Sequence, residues 1–70
     1  MGIRKLRNSI GRKVKSLRIE RGLSQEKLAE YVNMPRELIS CIERGKNLAN
    51  TETLYYLAKF FEIDIKEFFE

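Results

Sequence analysis

Apolar residues recur three and four positions apart along most of the chain, which is the spacing of one face of an α-helix. The first such face is formed by Ile10, Val14 and Leu17, and it predicts a helix over residues 9–21. Gly22 follows as the stop, because glycine readily takes the left-handed conformation at helix ends. No segment of useful length alternates like a β-strand, so the pattern predicts an all-α protein.

Capping signals predict four more helices after the first. Ser24 is placed to cap a second helix that runs to about Val32. A third helix starts at Pro35, whose missing N–H group suits a first helical position. Asn50 is placed to cap a fourth helix, and Asp64 has the capping-box spacing that starts a short fifth one.

Only Asn33 and Met34 separate the second predicted helix from the third. Two short helices so closely joined cross steeply, which is helix-turn-helix geometry, and the second of them is then able to enter a DNA major groove. A chain of 70 residues holds a single hydrophobic core. We therefore predict a compact five-helix fold in one domain over residues 9–70, preceded by a basic N-terminal arm over residues 1–8.

The composition argues against most enzymes. The chain has no histidine and one cysteine, so it offers no imidazole base, no Ser-His triad and no zinc cluster. Its four glycines are too scattered for a phosphate-binding loop. We expect neither enzymatic activity nor a metal or cofactor. The lone cysteine fits a reducing compartment, so we expect a cytoplasmic protein, and the apolar runs are too short for a membrane span.

Positive charge is concentrated at the start of the chain. Residues 1–23 carry eight Lys and Arg against one Glu, residues 24–50 are neutral, and residues 51–70 have a net charge of −3. This distribution favours an anionic partner, nucleic acid before a membrane surface, although charge runs are also often plain solvated faces. Membrane binding through the first helix is disfavoured because its apolar face is needed in the core.

A set of short motifs occurs in a fixed order along the chain. They are Ile10-Gly11, Leu17-Arg18, the run ERGLSQE at residues 20–26, Leu28-Ala29, Ile39-Ser40, the run IERGK at residues 42–46, and Leu54 with Leu57-Ala58. Over residues 9–69 this set closely resembles the Cro/repressor-type helix-turn-helix family, also called lambda-repressor-like or xenobiotic-response-element proteins. The resemblance implies a five-helix, lambda-repressor-like DNA-binding domain, found in transcriptional regulators that usually act as dimers on palindromic operators.

The resemblance also implies roles for individual residues. Positions that face the bases in the groove are matched by Arg36, Glu37, Ser40 and Cys41. Positions that contact DNA phosphates are matched by Ser24, Gln25, Arg44, Lys46 and Asn47. Phosphate binding is physically reasonable at Ser24 and Gln25, because free N–H groups at a helix N-terminus attract anions. The simpler alternatives are helix capping by Ser24 alone, a solvated loop at residues 44–47, and a phosphate contact rather than a guanine contact for Arg36.

The sequence departs from the family pattern at several positions. Asn33 stands in place of a turn glycine, Pro35 in place of a capping Ser or Thr, and Ala49 where proline is frequent. Glu37 places an acid in the groove, either to accept from cytosine or to orient a nearby cation. Cys41 is a small neutral residue there, or alternatively a redox switch. These differences leave the operator sequence open.

Two further groups complete the predicted sites. Arg18 and Glu43 match interior charges of the family and are expected to form a structural ion pair. The C-terminal third is rich in aromatic residues, and an exposed stripe there indicates a homodimer interface, the alternative being a core that extends round the helix. The predicted interface residues are Tyr56, Phe60, Ile65 and Phe69.

We therefore expect a sequence-specific regulator that binds double-stranded DNA, a repressor or controller acting as a homodimer on a palindromic operator. No small-molecule ligand is evident. The alternatives are the antitoxin of a toxin–antitoxin pair and a protein-interaction module that kept the fold but lost DNA binding. Glu37 and the neutral central segment give the interaction module some support.

Overall fold

Four α-helices and a closing 3₁₀ helix make up most of residues 2–46 and 49–69, which are the residues that this computed structural model describes. The elements are α1 (Ile3–Glu20), α2 (Gln25–Val32), α3 (Arg36–Glu43), α4 (Thr51–Phe61) and the 3₁₀ helix (Ile65–Phe69). No strand occurs among these described residues. The predicted all-α fold with a central helix-turn-helix is confirmed, and the short fifth helix is a 3₁₀ helix.

Helix α1 begins at Ile3, so the predicted start at Ser9 is wrong. The part of the expected basic arm that the structure describes is helical from Ile3 onward, and Gly2 is the N-cap. The reason is visible in the packing: Leu6 lies one helical turn before Ile10 and packs against the core, so the apolar face of α1 extends toward its N-terminus. The Lys, Arg and Leu residues of this segment are also good helix formers.

The other helix ends lie close to the predicted positions. The Ser24 hydroxyl accepts a hydrogen bond from the Lys27 N–H at 3.0 Å, and the Asn50 side chain accepts one from the Thr53 N–H at 2.8 Å. Pro35 is the N-cap of α3 rather than its first residue. The cap at the end of α4 was not predicted: Glu62 adopts the left-handed conformation there, with a φ of 59°.

The core is formed by the inner faces of all five elements and by Ala49, which precedes α4. Its buried apolar residues are Ile10, Val14, Leu17, Leu28, Ala29, Ile39, Ile42, Ala49, Leu54, Leu57, Ala58, Phe61 and Phe68. Each fully buried Leu, Ile or Phe contributes about 1.5–3 kcal/mol through the removal of apolar surface from water. None of the described helices combines the length and the apolar character that a membrane span requires.

Helix α1 crosses the C-terminal end of α3 at very short range. A Cβ atom added to Gly11 would collide with the backbone carbonyl oxygens of Ile42 and Glu43, so only glycine permits this approach. The crossing fixes the end of α3 on α1. As a result, residues 44–46, which follow α3, lie beside the N-terminal half of α1.

Candidate nucleic-acid interface

The turn between α2 and α3 sets the direction in which α3 leaves the core. Asn33 takes the left-handed conformation, with a φ of 57° and a ψ of 49°, and the Met34 N–H donates to the Ala29 carbonyl at 2.9 Å. Pro35 then extends the chain into α3. Ile39 and Ile42 bury one side of α3 completely, so the opposite side of the helix faces solvent.

The four predicted base-reading residues lie on accessible parts of α3. Arg36 and Glu37 are exposed in the first turn, and Ser40 and Cys41 are half-buried one turn later. Within residues 2–46 and 49–69, the side chains of Arg36 and Glu37 form no ion pair with each other. The two side chains are therefore free to meet an external partner.

Arg18 and Glu43 form a bidentate ion pair between α1 and the last residue of α3. The Arg18 Nε donates to Glu43 Oε2 at 2.7 Å, and Nη2 donates to Oε1 at 3.0 Å. The Glu43 side chain is only 3% exposed. The hydrogen bond with Glu43, aided by its negative charge, outweighs the effect of burial and raises the pKa of Arg18 above its ordinary value. The arginine therefore stays charged, as the pair requires.

Two more hydrogen bonds enlarge this pair into a network, which we call the Arg18–Glu43 network. The Arg18 Nη1 donates to the Leu23 carbonyl at 2.7 Å, and the Gln25 Nε2 donates to Glu43 Oε1 at 3.1 Å. The network thus joins α1, the first residue of α2 and the end of α3. The amide of Gln25, predicted to contact phosphate, is engaged inside the protein, and the backbone N–H group at this helix start is what remains for an anion.

The remaining predicted phosphate-binding residues lie at two places. Ser24 is exposed, and its hydroxyl oxygen accepts the capping hydrogen bond of α2, which leaves its O–H group as a donor for a phosphate. Arg44 is exposed and lies back along α3, donating from Nε to the Ser40 carbonyl at 3.4 Å and approaching the Cys41 Sγ at 3.8 Å. Lys46 is exposed. Asn47 lies outside the described residues.

The N-terminal half of α1 adds cations that the sequence reasoning did not assign to the site. A surface hollow is lined by Arg4, Arg7, Asn8, Arg44, Gly45 and Lys46. Arg4 and Arg7 are three residues apart and so share a helix face once α1 is known to start at Ile3. The available signal was the spacing of Leu6 from Ile10, which extends the apolar face of α1 by a turn.

Of the four predicted interface residues, two share one surface hollow, a third lines a neighbouring hollow, and the fourth is an exposed ring. Tyr56, half exposed at 50%, and the half-buried Phe60 line a hollow with Tyr31 and Val32, whereas Ile65 lines a different one. Phe60 is stacked on Tyr31, with ring centroids 5.5 Å apart and planes 18° apart. Phe69 is 48% exposed. Tyr31, on α2, was missed because periodicity within α4 carries no information about α2.

Comparisons with known proteins agree with this geometry. The helix-turn-helix family model HTH_3 matches residues 14–68. The chain is 42% identical over 55 residues to the HTH-type transcriptional activator BcrR of Enterococcus faecalis, covering 79% of this chain and 27% of that protein. It is 34% identical over 55 residues to the cryptic phage CTXphi transcriptional repressor RstR of Vibrio cholerae, covering 79% of this chain and 50% of that protein.

Structural comparison gives the same family. The crystal structure of an HTH_3 family transcriptional regulator from Vibrio cholerae superposes with a TM-score of 0.88 at 28% identity, covering 97% of this chain and 38% of that one. The chain thus spans about a quarter to a half of the length of these relatives. The resemblance to Cro/repressor-type proteins is confirmed, and the chain belongs to the HTH_3 family of helix-turn-helix proteins.

Proposed function

We propose that this chain is the DNA-binding part of a transcriptional regulator and that α3 reads a specific duplex sequence. The observation that carries the proposal is the contrast between the two sides of α3. Its inner side is fixed by Ile39, Ile42 and the Arg18–Glu43 network, while its outer side presents Arg36 and Glu37 without internal partners among the described residues. Fixing the helix before binding lowers the cost of ordering the interface.

Base reading is assigned to the outer side of α3. Arg36 has the paired donors that match the O6 and N7 atoms of guanine in the major groove. Glu37 has the acceptor that matches the N4 amino group of cytosine. Ser40 and Cys41 lie one turn further along the same helix and contribute a hydroxyl and a small neutral surface.

Phosphate contacts are assigned to both ends of the helix-turn-helix. At the start of α2, Ser24 and the backbone N–H group of Gln25 offer a helix N-terminus, where the peptide dipoles favour an anion. After α3, Arg44 and Lys46 are exposed cations, and Asn47 is assigned with them on the resemblance alone. These contacts position the protein, and the bases specify the site.

We further propose that the protein acts as a homodimer on a palindromic operator. The half-exposed Tyr56 and Phe69 support this, because exposed aromatic rings are typical of interfaces. In a symmetric dimer on DNA, the two α3 helices are expected to lie about 34 Å apart, which is one turn of the duplex. We propose that occupancy of the operator regulates transcription; the names of the relatives include both an activator and a repressor.

Selection of bound sequences from a random pool of duplexes tests the proposal. The proposal predicts enrichment of one sequence with two symmetric halves. A matched selection with Arg36→Ala is expected to lose the preference at one base pair in each half, by about 1–3 kcal/mol. A wild-type selection without any enriched sequence would contradict specific recognition.

The protein-interaction module is the second candidate. Its support is the exposed Glu37 on the groove-facing side of α3, because a carboxylate near phosphates is repelled. Binding to duplex DNA separates the two candidates. The regulator binds with an affinity that falls steeply with salt concentration, whereas an interaction module shows no such binding.

A further inference from the structure

We propose that the first two turns of α1 are part of the DNA-binding surface. Arg4 and Arg7 of α1, together with Arg44 and Lys46, form a pocket beside α3 that binds a phosphate of the DNA backbone. The inference rests on the proposed function, which assigns DNA binding to α3. It extends the interface to a part of the chain that lies before the residues matched by the family model.

The pocket is defined by its charges. Within residues 2–46 and 49–69, its lining consists of four cationic side chains, one polar side chain and Gly45, and includes no acidic residue. Arg4 and Arg7 come from α1, whereas Arg44 and Lys46 come from the chain just after α3. Four like charges around one hollow repel each other, and a bound anion removes that repulsion.

Arg7 gives the pocket a donor without a partner. The residue is half-buried, and its Nε atom is shielded from solvent with no hydrogen-bond partner within the described part of the chain. A buried donor that makes no hydrogen bond is destabilising, so such groups in folded proteins usually have a partner. A phosphate in the hollow meets the guanidinium of Arg7 and, once this side chain adjusts, would supply an acceptor and a negative charge together.

Two close approaches hold the two walls of the pocket together. A Cβ atom on Gly45 would collide with the Asn8 side chain, and Gly45 has a φ of 72°, which favours glycine in any case. Three residues further along α1, Gly11 packs against the carbonyl oxygens at the end of α3. The cations of α1 are therefore presented by a packed helix and not by a loose arm, so little ordering is needed on binding.

The position of the pocket favours a phosphate of the DNA backbone over a free anion as its ligand. Arg44 and Lys46 directly follow α3, so a ligand that lies beside the C-terminal end of α3 also contacts this hollow. When α3 occupies a major groove, the neighbouring wall of that groove is a line of phosphates. The hollow is also open to solvent on one side, as an extended backbone requires, and both of its walls carry positive charge.

The test compares two double variants of equal charge on the same helix. Arg4→Gln with Arg7→Gln removes the two pocket cations of α1. Lys5→Gln with Arg12→Gln removes two exposed cations that do not line the pocket. Glutamine keeps a high helix propensity at all four positions, and circular dichroism checks that helix content is retained.

Fluorescence anisotropy with a duplex selected by the wild type, repeated at several salt concentrations, supplies the readout. The slope of log K against log salt concentration is expected to fall by about 0.9 for each phosphate that the Arg4/Arg7 variant no longer neutralises. In the Lys5/Arg12 variant, this slope is expected to fall by less than half of that amount. Equal slopes for the two variants would overturn the pocket, because they would show only a long-range effect of net charge.

A second experiment changes the DNA and leaves the protein intact. Single neutral methylphosphonate linkages are placed along the duplex, and one position per half-site is expected to weaken wild-type binding clearly more than binding by the Arg4/Arg7 variant, which keeps Arg44 and Lys46. Absence of any such position overturns the inference. Binding of millimolar inorganic phosphate to the wild type but not to the Arg4/Arg7 variant, with the duplex affinity unchanged at constant ionic strength, also overturns it by assigning the pocket to a free anion.

The failures of the two proposals are distinguishable. A wild type that prefers one duplex sequence, combined with unchanged slopes in the Arg4/Arg7 variant, overturns only the pocket. A wild type that binds no duplex at all overturns both the pocket and the proposed function.

Discussion

The two ends of the molecule are built in different ways. The end that carries α3 presents the cations of the hollow beside α1 and is held by polar contacts: Arg18, Glu43 and Gln25 join three helices through four hydrogen bonds that include the Leu23 carbonyl. The end formed by α4 and the 3₁₀ helix belongs to a segment with a net charge of −3, and it presents half-exposed aromatic rings. The first arrangement suits binding an anion on a preformed surface, and the second suits burial against another protein surface.

The aromatic end is expected to show the largest effect of a single substitution. Tyr56→Lys places a charge in the proposed dimer interface, and a symmetric interface contains the change twice. At about 2 kcal/mol for each aromatic residue, dimerisation weakens by about 4 kcal/mol. Sedimentation equilibrium is expected to show monomers, with helix content unchanged because Tyr56 is exposed.

Ile19→Lys is the matched control for this substitution. Ile19 is an exposed apolar side chain like Tyr56, but it belongs to α1 and lines neither the hollow of Tyr56 and Phe60 nor that of Ile65. It is expected to leave the dimer nearly intact. A wild type that stays monomeric at high micromolar concentration, even with operator DNA, would remove the dimer interface from the account.

The end that carries α3 is expected to lose stability when the Arg18–Glu43 network is broken. Glu43→Ala leaves the Arg18 guanidinium partly buried without its carboxylate, which costs about 3 kcal/mol of unfolding free energy. Urea unfolding measures this loss, with Glu20→Ala as an exposed control. Arg18→Met combined with Glu43→Leu is expected to recover much of the stability, because no uncompensated charge remains. A loss of the same size in the Glu20 variant would contradict a special role for the pair.

The sign of the pH dependence follows from the raised pKa of Arg18. A raised folded-state pKa stabilises the protein at every pH below the ordinary arginine value, and this stabilisation disappears only as the pH rises past it. The contribution of Arg18 to the network is therefore constant over the neutral range.

A smaller effect is expected at Glu37, where a substitution distinguishes the reading of a base from a general effect of charge on DNA affinity. Glu37→Gln removes one negative charge, so binding to non-specific DNA is expected to improve slightly. At one operator position per half-site, the preference is expected to shift from cytosine toward adenine by about 1 kcal/mol, because Gln pairs with adenine. Affinities for all single-base operator variants measure both changes. A uniform gain at every position would mean that Glu37 reads no base.

Local signals predicted the helix ends better than the contacts between helices. Ser24 and Asn50 act as caps because capping depends on residues three positions apart. The start of α1 was missed because Gly2 offers no side-chain cap and the basic residues that follow it suggested an arm. Among the contacts between helices, only the Arg18–Glu43 ion pair was expected, and that expectation came from the family resemblance.

Hydrophobic periodicity could not predict the contacts between elements that are far apart in the sequence. The Gln25 amide bonds to Glu43, and the Arg21 guanidinium donates to the Phe61 carbonyl at 2.7 Å. Tyr31 stacks on Phe60 across two helices. These contacts depend on how the helices cross, which hydrophobic spacing within a single helix does not determine. The pocket between α1 and the loop after α3 was missed for the same reason.

Base reading by α3 is tested most directly through Arg36. The measurement is the affinity of the wild type and of Arg36→Ala for the selected operator and for every single-base variant of it, at one salt concentration. The account predicts that Arg36→Ala loses about 1–3 kcal/mol of discrimination at one base pair in each half-site and keeps its preferences elsewhere. An equal loss of affinity for all variants, with every base preference retained, would show a phosphate contact and contradict the account.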